Sequence, residues 1–233
     1  MKNLRAVSVF GACLLFLIAL IVPSFHSARK SRQSPCIRNL RSLAFALNIY
    51  HTANGSYPPA YIADKDGKPM YSWRVLILPF LDEKPLFDKY DFSKPWDAPE
   101  NRFVLENMPD VFRCESDKSA TPNTTNYAGV FGKGCAFDPG YPMGIRDIED
   151  GMTFTLLVGE VVDVNIPWTK PEDIDVSLHP GINKPNGFGS RHPGFCNFAF
   201  CDGRAQVLFD NIDPEVLDSL FHRNDDKPID DPF

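Results

Sequence analysis

Residues 192–209 carry the clearest structural signal in this chain, and they read His192-Pro193-Gly194-Phe195-Cys196-Asn197-Phe198-Ala199-Phe200-Cys201-Asp202-Gly203-Arg204-Ala205-Gln206-Val207-Leu208-Phe209. Two runs of strand-forming residues flank Asp202-Gly203. Asp-Gly between such runs predicts a two-residue type I′ turn, which needs positive φ at both central positions. Side chains alternate along a strand, so the first strand is expected to present two different faces. One face holds Cys196, Phe198 and Phe200, and the other holds Asn197, Ala199 and Cys201.

Upstream, residues 34–55 predict a helix that packs on the sheet. Ser34-Pro35 suits the N-cap and first helical positions, and Asn54-Gly55 suits a left-handed ending. We therefore expect a helix over 36–53. Its apolar face follows helical spacing and consists of Ile37, Leu40, Ala44, Leu47 and Tyr50.

Elsewhere, the pattern predicts short elements and long loops. Ser72 is expected to cap a short helix, and Asp213 is expected to cap a closing helix at 214–220. Residues 163–190 are predicted to form a long loop region. Strand-forming runs bounded by Gly, Asp and Pro predict further strands at 111–114, 126–130 and 154–162.

Charge is distributed unevenly along the 233 residues, whose formal net charge is −6. Residues 1–41 hold seven of the 24 basic residues and none of the 30 acidic ones, so the remainder has 17 basic and 30 acidic residues, a net of −13. An acidic domain repels nucleic-acid phosphates, and no nucleic-acid partner is therefore expected. The hydrophobic fraction of 43% excludes a disordered chain.

The N-terminal segment predicts a membrane anchor. Ala6 to Val22 is almost purely apolar, and no charged residue occurs between Arg5 and Arg29. Extended to Phe25, this run approaches the ~20 residues with which a helix spans a bilayer. A secretory signal cleaved after Val22-Pro23-Ser24 is the alternative. We favour a retained transmembrane helix within residues 1–28, with membrane lipid as its partner, because the cleavage site is weak and the apolar run is long.

Cysteine and histidine spacing indicates no local metal motif. Cys13 lies in the apolar run, which leaves five cysteines, an odd number. A disulfide between Cys36 and Cys114 is one interpretation, and buried free thiols throughout are the other. Neither C-x-x-C nor H-x-x-x-H spacing occurs, so no metal ligand and no cofactor is predicted.

One catalytic arrangement can be drawn from the sequence. His192 and Asp202 would act as base and orienting residue, with Ser190 as nucleophile, in an envelope hydrolase. However, Gly187-Phe188-Gly189-Ser190 does not have the pattern of a nucleophile elbow. The alternative is that His192 orders a loop and Asp202 shapes the turn. No catalytic residue is predicted on these grounds.

The spacing from His192 to Asp202-Gly203, nine intervening residues, resembles the prepilin-type processing-associated H-X9-DG motif. That motif belongs to a large bacterial family of pilin-like proteins, domain-of-unknown-function family 1559. The residues that we assign to it are His192, Asn197, Asp202 and Gly203. Further stretches similar to family signatures are 36–40, 50–51, 55–59, 72–75, 78–81, 112–117, 125–127 and 168–173.

The resemblance implies a pilin-like α+β architecture: an N-terminal transmembrane helix, then an amphipathic helix packed on an antiparallel β-sheet with long loops. It predicts an anchor at 1–28, an extracytoplasmic domain at 29–222 and an acidic, flexible tail at 223–233. The family often has a leader and a Glu at the fifth mature position. The run Val9 to Val22 contains no Glu, so prepilin-type cleavage is not expected.

The resemblance implies no established enzyme activity. The leading hypothesis is a pseudopilin-like structural or interaction component of the cell envelope, in contact with other envelope proteins or with itself. The alternative is a module that binds a peptide or glycan through Trp73, Trp96 and Trp168. The expected location is the bacterial cytoplasmic membrane, single-pass, with the C-terminal domain outside. The basic residues after the apolar run favour the opposite orientation, whereas cysteine content and the resemblance favour export.

Overall fold

The computed structural model describes residues 35–119, 121–178, 181–225 and residue 227. The predicted anchor at 1–28 lies outside these residues, as does the end of the predicted tail, 228–233. Within the described part of the chain, no helix has both the length and the hydrophobicity to cross a bilayer.

A five-stranded sheet forms the centre of the fold, in the order β5-β3-β4-β6-β7, and a separate hairpin pairs β1 with β2. The strands are β1 Tyr61–Ala63, β2 Pro69–Ser72, β3 Tyr127–Phe131, β4 Leu156–Glu160, β5 Ile174–Asp175, β6 Phe195–Phe200 and β7 Ala205–Phe209. The α-helices are α1 (35–54), α2 Trp73–Leu76, α3 Lys84–Phe87, α4 Arg102–Glu106 and α5 Pro214–Phe221.

The predicted α+β class is confirmed, but the sheet is mixed and not purely antiparallel. β3 pairs with β4, β4 with β6, and β6 with β7, all antiparallel. β5 lies parallel to β3, with Val130 opposite Ile174. This short edge strand falls within 163–190, where the sequence predicted only loop. Two residues are too few to give a strand pattern, so its pairing depends on tertiary contacts.

The predicted hairpin is confirmed, while its turn differs from the predicted type I′. Only Gly203 of the Asp-Gly pair has positive φ, at +91°. Its N–H donates to the carbonyl of Phe200 at 3.0 Å, and Phe200 N–H donates to Arg204 at 2.9 Å. The loop therefore has three residues, and the left-handed glycine comes last, as in a turn followed by a glycine bulge.

Both faces of the sheet are buried, as the alternation in β6 requires. Cys196, Phe198 and Phe200 enter one hydrophobic core together with residues of α5. Ala199 and Cys201 enter a second core on the opposite face. The second core is the one that α1 covers, with Leu40, Leu43 and Leu47 fully buried. The sheet is thus the middle layer, with a helix on each side.

The described part of helix α1, 35–54, covers the predicted helix 36–53. It runs to residue 54 and is followed by Gly55 at φ +82°, whose N–H donates to the carbonyl of His51 at 2.8 Å. A left-handed glycine after the last turn is a common helix ending because it satisfies a terminal carbonyl. Two of the predicted caps are confirmed: Ser72 accepts from Arg74 N–H, and Asp213 accepts from Glu215 N–H. The third, Ser34, lies outside the described residues.

The strand predicted at 111–114 is wrong. Asp110–Phe112 forms a 3₁₀ turn instead. The backbone that follows bonds to one residue: Asn126 N–H donates to Phe112 O at 2.9 Å, and Cys114 N–H donates to Asn126 Oδ1 at 2.9 Å. A side-chain amide thus replaces the neighbouring strand that these residues would need.

Candidate functional site

Four side chains of metal-ligand type converge at one end of the central sheet. They are Cys36 in the first described turn of α1, Cys114 in the loop before β3, Glu160 at the end of β4 and His192 in the loop before β6. One ligand atom from each residue lies within 4.8 Å of all the others, and all four side chains are buried. We call this group the Cys₂-Glu-His cluster.

Glu160 is a buried carboxylate at the centre of this cluster. Its exposure is 2%, and it forms no ion pair with a Lys or Arg of the described residues. The Asn197 backbone and side-chain N–H groups donate to Oε2 at 3.0 and 2.8 Å. The other oxygen, Oε1, lies 3.9 Å from Cys114 Sγ. Burial raises the pKa of Glu160 to about 7 despite the Asn197 bonds, because an uncompensated charge is costly to bury.

His192 contributes a buried ring nitrogen. Nε2 is inaccessible to solvent and has no hydrogen-bond partner among the residues that the structure describes. The ring stacks on Phe195, with centroids 5.0 Å apart and planes 6° apart. Burial lowers the pKa of His192, which favours the neutral imidazole that binds metals. A metal ion bound to Nε2 would satisfy this buried nitrogen.

The loop that carries His192 is held on both sides. Ser190 Oγ donates to the carbonyl of Phe195 at 2.7 Å and accepts from His192 N–H at 3.0 Å. Arg191 binds Asp117 at 3.1 Å and Asp163 at 2.6 Å. Asp117 follows Cys114 by three residues, so the Arg191 bonds join two of the segments that supply the cluster.

Cys36 and Cys114, the predicted disulfide partners, are brought together as free thiols. The hydrogen bond with Cys114, burial and the nearby Glu160 charge all raise the pKa of Cys36. Cys135, Cys196 and Cys201 are also buried thiols. The structure thus places the two predicted partners close together, and the disulfide bond between them stays a prediction.

The H-X9-DG residues occupy opposite ends of β6. His192 lies in the cluster, Asn197 supports Glu160, and Asp202-Gly203 forms the hairpin turn. The turn meets α1, since Asn48 Nδ2 donates to the carbonyl of Cys201 at 3.1 Å. Six strand residues cover about 20 Å at ~3.3 Å each, so His192 and Asp202 are not neighbours. Asp202 instead accepts from Arg204 N–H at 3.0 Å, and the hydrolase arrangement does not assemble.

A second buried network joins two other signature stretches, 72–75 and 168–173. Arg74 Nη2 lies 2.5 Å from Asp173 Oδ1, and the two side chains are 0% and 2% exposed. Asp173 also accepts from Trp73 Nε1 at 3.0 Å and Gly129 N–H at 2.6 Å. Arg74 donates to the carbonyl of Tyr127 through Nε and Nη2. Because every charged atom in this network is satisfied within the protein, it is structural.

The sequence did not reveal the Cys₂-Glu-His cluster, because its residues come from four separate segments. Each segment offers one ligand, so no zinc spacing exists to be found. A weak signal was present: Cys36, Cys114 and His192 each lie in a stretch that we assigned to a family signature. Glu160 gave no signal, since an acidic residue ending a strand is usually solvated.

A family model described as "Protein of unknown function (DUF1559)" matches residues 26–141 and 175–215. The matched residues include Cys36, Cys114 and His192, whereas Glu160 lies between the two matched ranges. Neither the curated proteins nor the solved structures include a match to this chain.

Proposed function

We propose that this chain, which belongs to the DUF1559 family of proteins of unknown function, is a non-catalytic component of the bacterial cell envelope. In this proposal, the apolar run Ala6 to Val22 is a single-pass anchor in the cytoplasmic membrane. The domain that follows is pilin-like, lies outside the membrane and acts through protein–protein contacts, as a pseudopilin does.

The observation that supports the proposal best is the position and packing of α1. Its described part starts 13 residues after the apolar run ends at Val22. Its inward face is fully buried against the sheet, whereas Arg38, Arg41 and Phe45 on its outward side are exposed. Phe45 retains 64% of its surface. An apolar ring beside two cations suits contact with a second copy, another envelope protein or acidic headgroups.

A ligand-binding module is the second candidate, and two of its three predicted tryptophans serve the core instead. Trp73 and Trp168 are 0% exposed. Their indole N–H groups donate to Asp173 at 3.0 Å and to the carbonyl of Leu105 at 3.0 Å. Trp96 is half-buried. A shallow groove lined by Pro85, Leu86, Phe103 and Met108 is the surface that this alternative would use.

Fractionation of native cells tests the anchored proposal. We expect the protein to stay in the membrane pellet after an alkaline carbonate wash, with an intact mass near 26.2 kDa. A soluble protein lighter by about 2.5–3 kDa, as signal-peptide removal would give, would contradict it. Loss of a few N-terminal residues with gain of a methyl group would support the pilin-like reading and identify prepilin-type processing.

The contact role needs its own measurement. We expect chemical cross-linking of intact membranes to give a defined product containing this chain, and Phe45→Asp to reduce it. The matched control is Leu178→Asp, because Leu178 is 69% exposed and lies outside α1. A monomer without product, combined with a thermal shift caused by peptides or glycans, would favour the binding module instead.

A further inference from the structure

We propose that Cys36, Cys114, Glu160 and His192 bind one Zn²⁺ ion. The proposed envelope function neither requires nor assigns this site, so the zinc proposal and the envelope proposal can be tested separately.

The donor set is the first argument. Two sulfurs, one imidazole nitrogen and one carboxylate oxygen are the ligand types that Zn²⁺ accepts in tetrahedral sites. Bond lengths of about 2.3 Å to sulfur and 2.0–2.2 Å to nitrogen or oxygen put the ligand atoms about 3.3–3.8 Å apart. The atoms here lie within 4.8 Å of one another. The ligand atoms therefore need to approach one another by only about an ångström to bind the ion. Calcium and magnesium prefer all-oxygen sites and do not suit the two sulfurs.

Charge compensation is the second argument. Within the described chain, Glu160 is buried without a cationic partner from Lys or Arg, and His192 Nε2 is buried without a hydrogen bond. A divalent cation satisfies both groups at once and draws the two thiols to thiolates, releasing their protons to solvent. Within the described chain, the cluster thus contains a buried carboxylate without a cation and a buried ring nitrogen without a hydrogen bond, and one metal ion would satisfy both.

The surroundings of the cluster are the third argument. Asn197 binds Oε2 of Glu160 through two N–H groups and leaves Oε1 directed to the cluster. Arg191 fixes the His192 loop to Asp117 and Asp163. Such outer hydrogen bonds orient metal ligands. With four ligands from the protein, the ion has no position left for substrate, which indicates a structural and not a catalytic zinc site.

A second group of ligand-type residues, Asp218, His222 and Asp225, does not support the same inference. Lys227 Nζ lies 3.3 Å from Asp218 and 3.2 Å from Asp225. A lysine ammonium already provides the positive charge there, and the group is partly exposed. The Cys₂-Glu-His cluster is therefore the better candidate.

Metal content of the full-length protein is the first measurement. The protein is purified in mild detergent under reducing conditions without chelator, and zinc is quantified by elemental analysis. We expect about one zinc per chain. Replacement by Co²⁺ should give the sulfur-to-cobalt absorption and the strong visible bands of a tetrahedral thiolate site. Spectra typical of six-coordinate cobalt would overturn the proposal.

Variants then assign the ligands. We expect His192→Ala and Glu160→Gln to weaken zinc binding at least tenfold in competition with a chromophoric chelator. Asn197→Ala should weaken it about 10–100-fold, as outer-shell substitutions do. His51→Ala and Cys201→Ser are the controls and should bind as the unaltered chain does. Glu160→Gln keeps the side-chain volume, so it preserves the test if the alanine variant of His192 does not fold.

Two results would overturn the site. One is equal zinc affinity of the unaltered chain and the His192→Ala and Glu160→Gln variants. The other is a Cys36–Cys114 disulfide in protein isolated under air-free conditions with thiols blocked, seen as a mass about 2 Da lower than the reduced chain. In that case the cluster would be an oxidised covalent link, as the sequence suggested, and zinc would not bind.

Discussion

Arg74 and Asp173 show at the scale of single residues how this fold keeps charge in its interior. The pair is almost fully buried, and each member also bonds to backbone or indole groups. Burial lowers the pKa of Arg74 and raises that of Asp173. Each charge therefore depends on the other, and loss of one leaves the other without compensation.

We expect Arg74→Met to lower the free energy of unfolding by about 3–5 kcal/mol, the usual cost of breaking a buried pair from one side. Urea unfolding of the domain measures it. The control is Lys84→Met, which removes the exposed pair between Lys84 and Asp88 at 66% and 55% exposure and should cost less than about 1 kcal/mol. Equal effects of the two substitutions would refute the structural role of the Arg74 network.

At the scale of elements, α1 depends on the contrast between its two sides. Leu47 is fully buried against the sheet, whereas Phe45, two positions earlier, is 64% exposed. We expect Leu47→Asp to destabilise the domain by several kcal/mol, because a carboxylate would be buried without a partner. Phe45→Asp on the same helix should change stability by less than about 1 kcal/mol. Thermal unfolding of both variants checks this, and similar melting temperatures would show that the helix face is assigned wrongly.

Elements with a strong local pattern could be predicted, and elements held by distant contacts could not. The periodicity of α1 and the alternation of β6 are properties of adjacent residues, and both agree with the structure. The segment 111–114 has strand-forming residues but meets the Asn126 side chain in place of a strand. β5 is a strand only because β3 offers a free edge, which no local pattern reveals.

The turn between β6 and β7 and the Cys₂-Glu-His cluster also depend on contacts that the local sequence pattern does not predict. Asp-Gly correctly located the reversal between β6 and β7, but the type of turn was set by Arg204 closing the loop on Phe200. Cys36 and Cys114 lie close together in the structure, and the disulfide between them stays a prediction. Glu160 and His192 lie beside them because β4 and β6 pair antiparallel, which places the end of β4 next to the start of β6. This pairing joins residues that are distant in sequence.

At the scale of the whole molecule, Asp138 links the C-terminal segment to the loop after β3. Its oxygens accept from Gly134 N–H at 2.8 Å and Gly140 N–H at 2.9 Å, and Arg223 lies 3.4 Å away. Arg223 is itself buried and donates to the carbonyl of Cys135. Burial alone would raise the pKa of Asp138, but these bonds outweigh it and the pKa lies below its ordinary value.

This shift predicts how stability depends on acid. A carboxyl whose folded pKa is depressed stabilises the fold above its unfolded pKa of about 3.9, and the contribution is lost as the pH falls through the folded value. We expect Asp138→Asn to lower stability at pH 7 by about 1–3 kcal/mol and to flatten the acid limb below about pH 4. Unfolding measured from pH 7 to 2 checks it, with exposed Asp66→Asn as control. An acid limb unchanged in Asp138→Asn would disprove the assignment.

The place of Cys36 also determines how the domain responds to mechanical load. Cys36 is the first residue of the compact unit formed by residues 36–233, so tension on the preceding segment arrives at the first turn of α1. Without an ion, α1 is held by side-chain packing and by scattered hydrogen bonds such as those of Asn39 and Asn48, which would break in succession under load. An ion bound by the Cys₂-Glu-His cluster would link that turn to the three other segments that supply ligands. Those bonds would have to break together before the helix moved, so a bound ion would raise the force needed to detach α1 from the sheet.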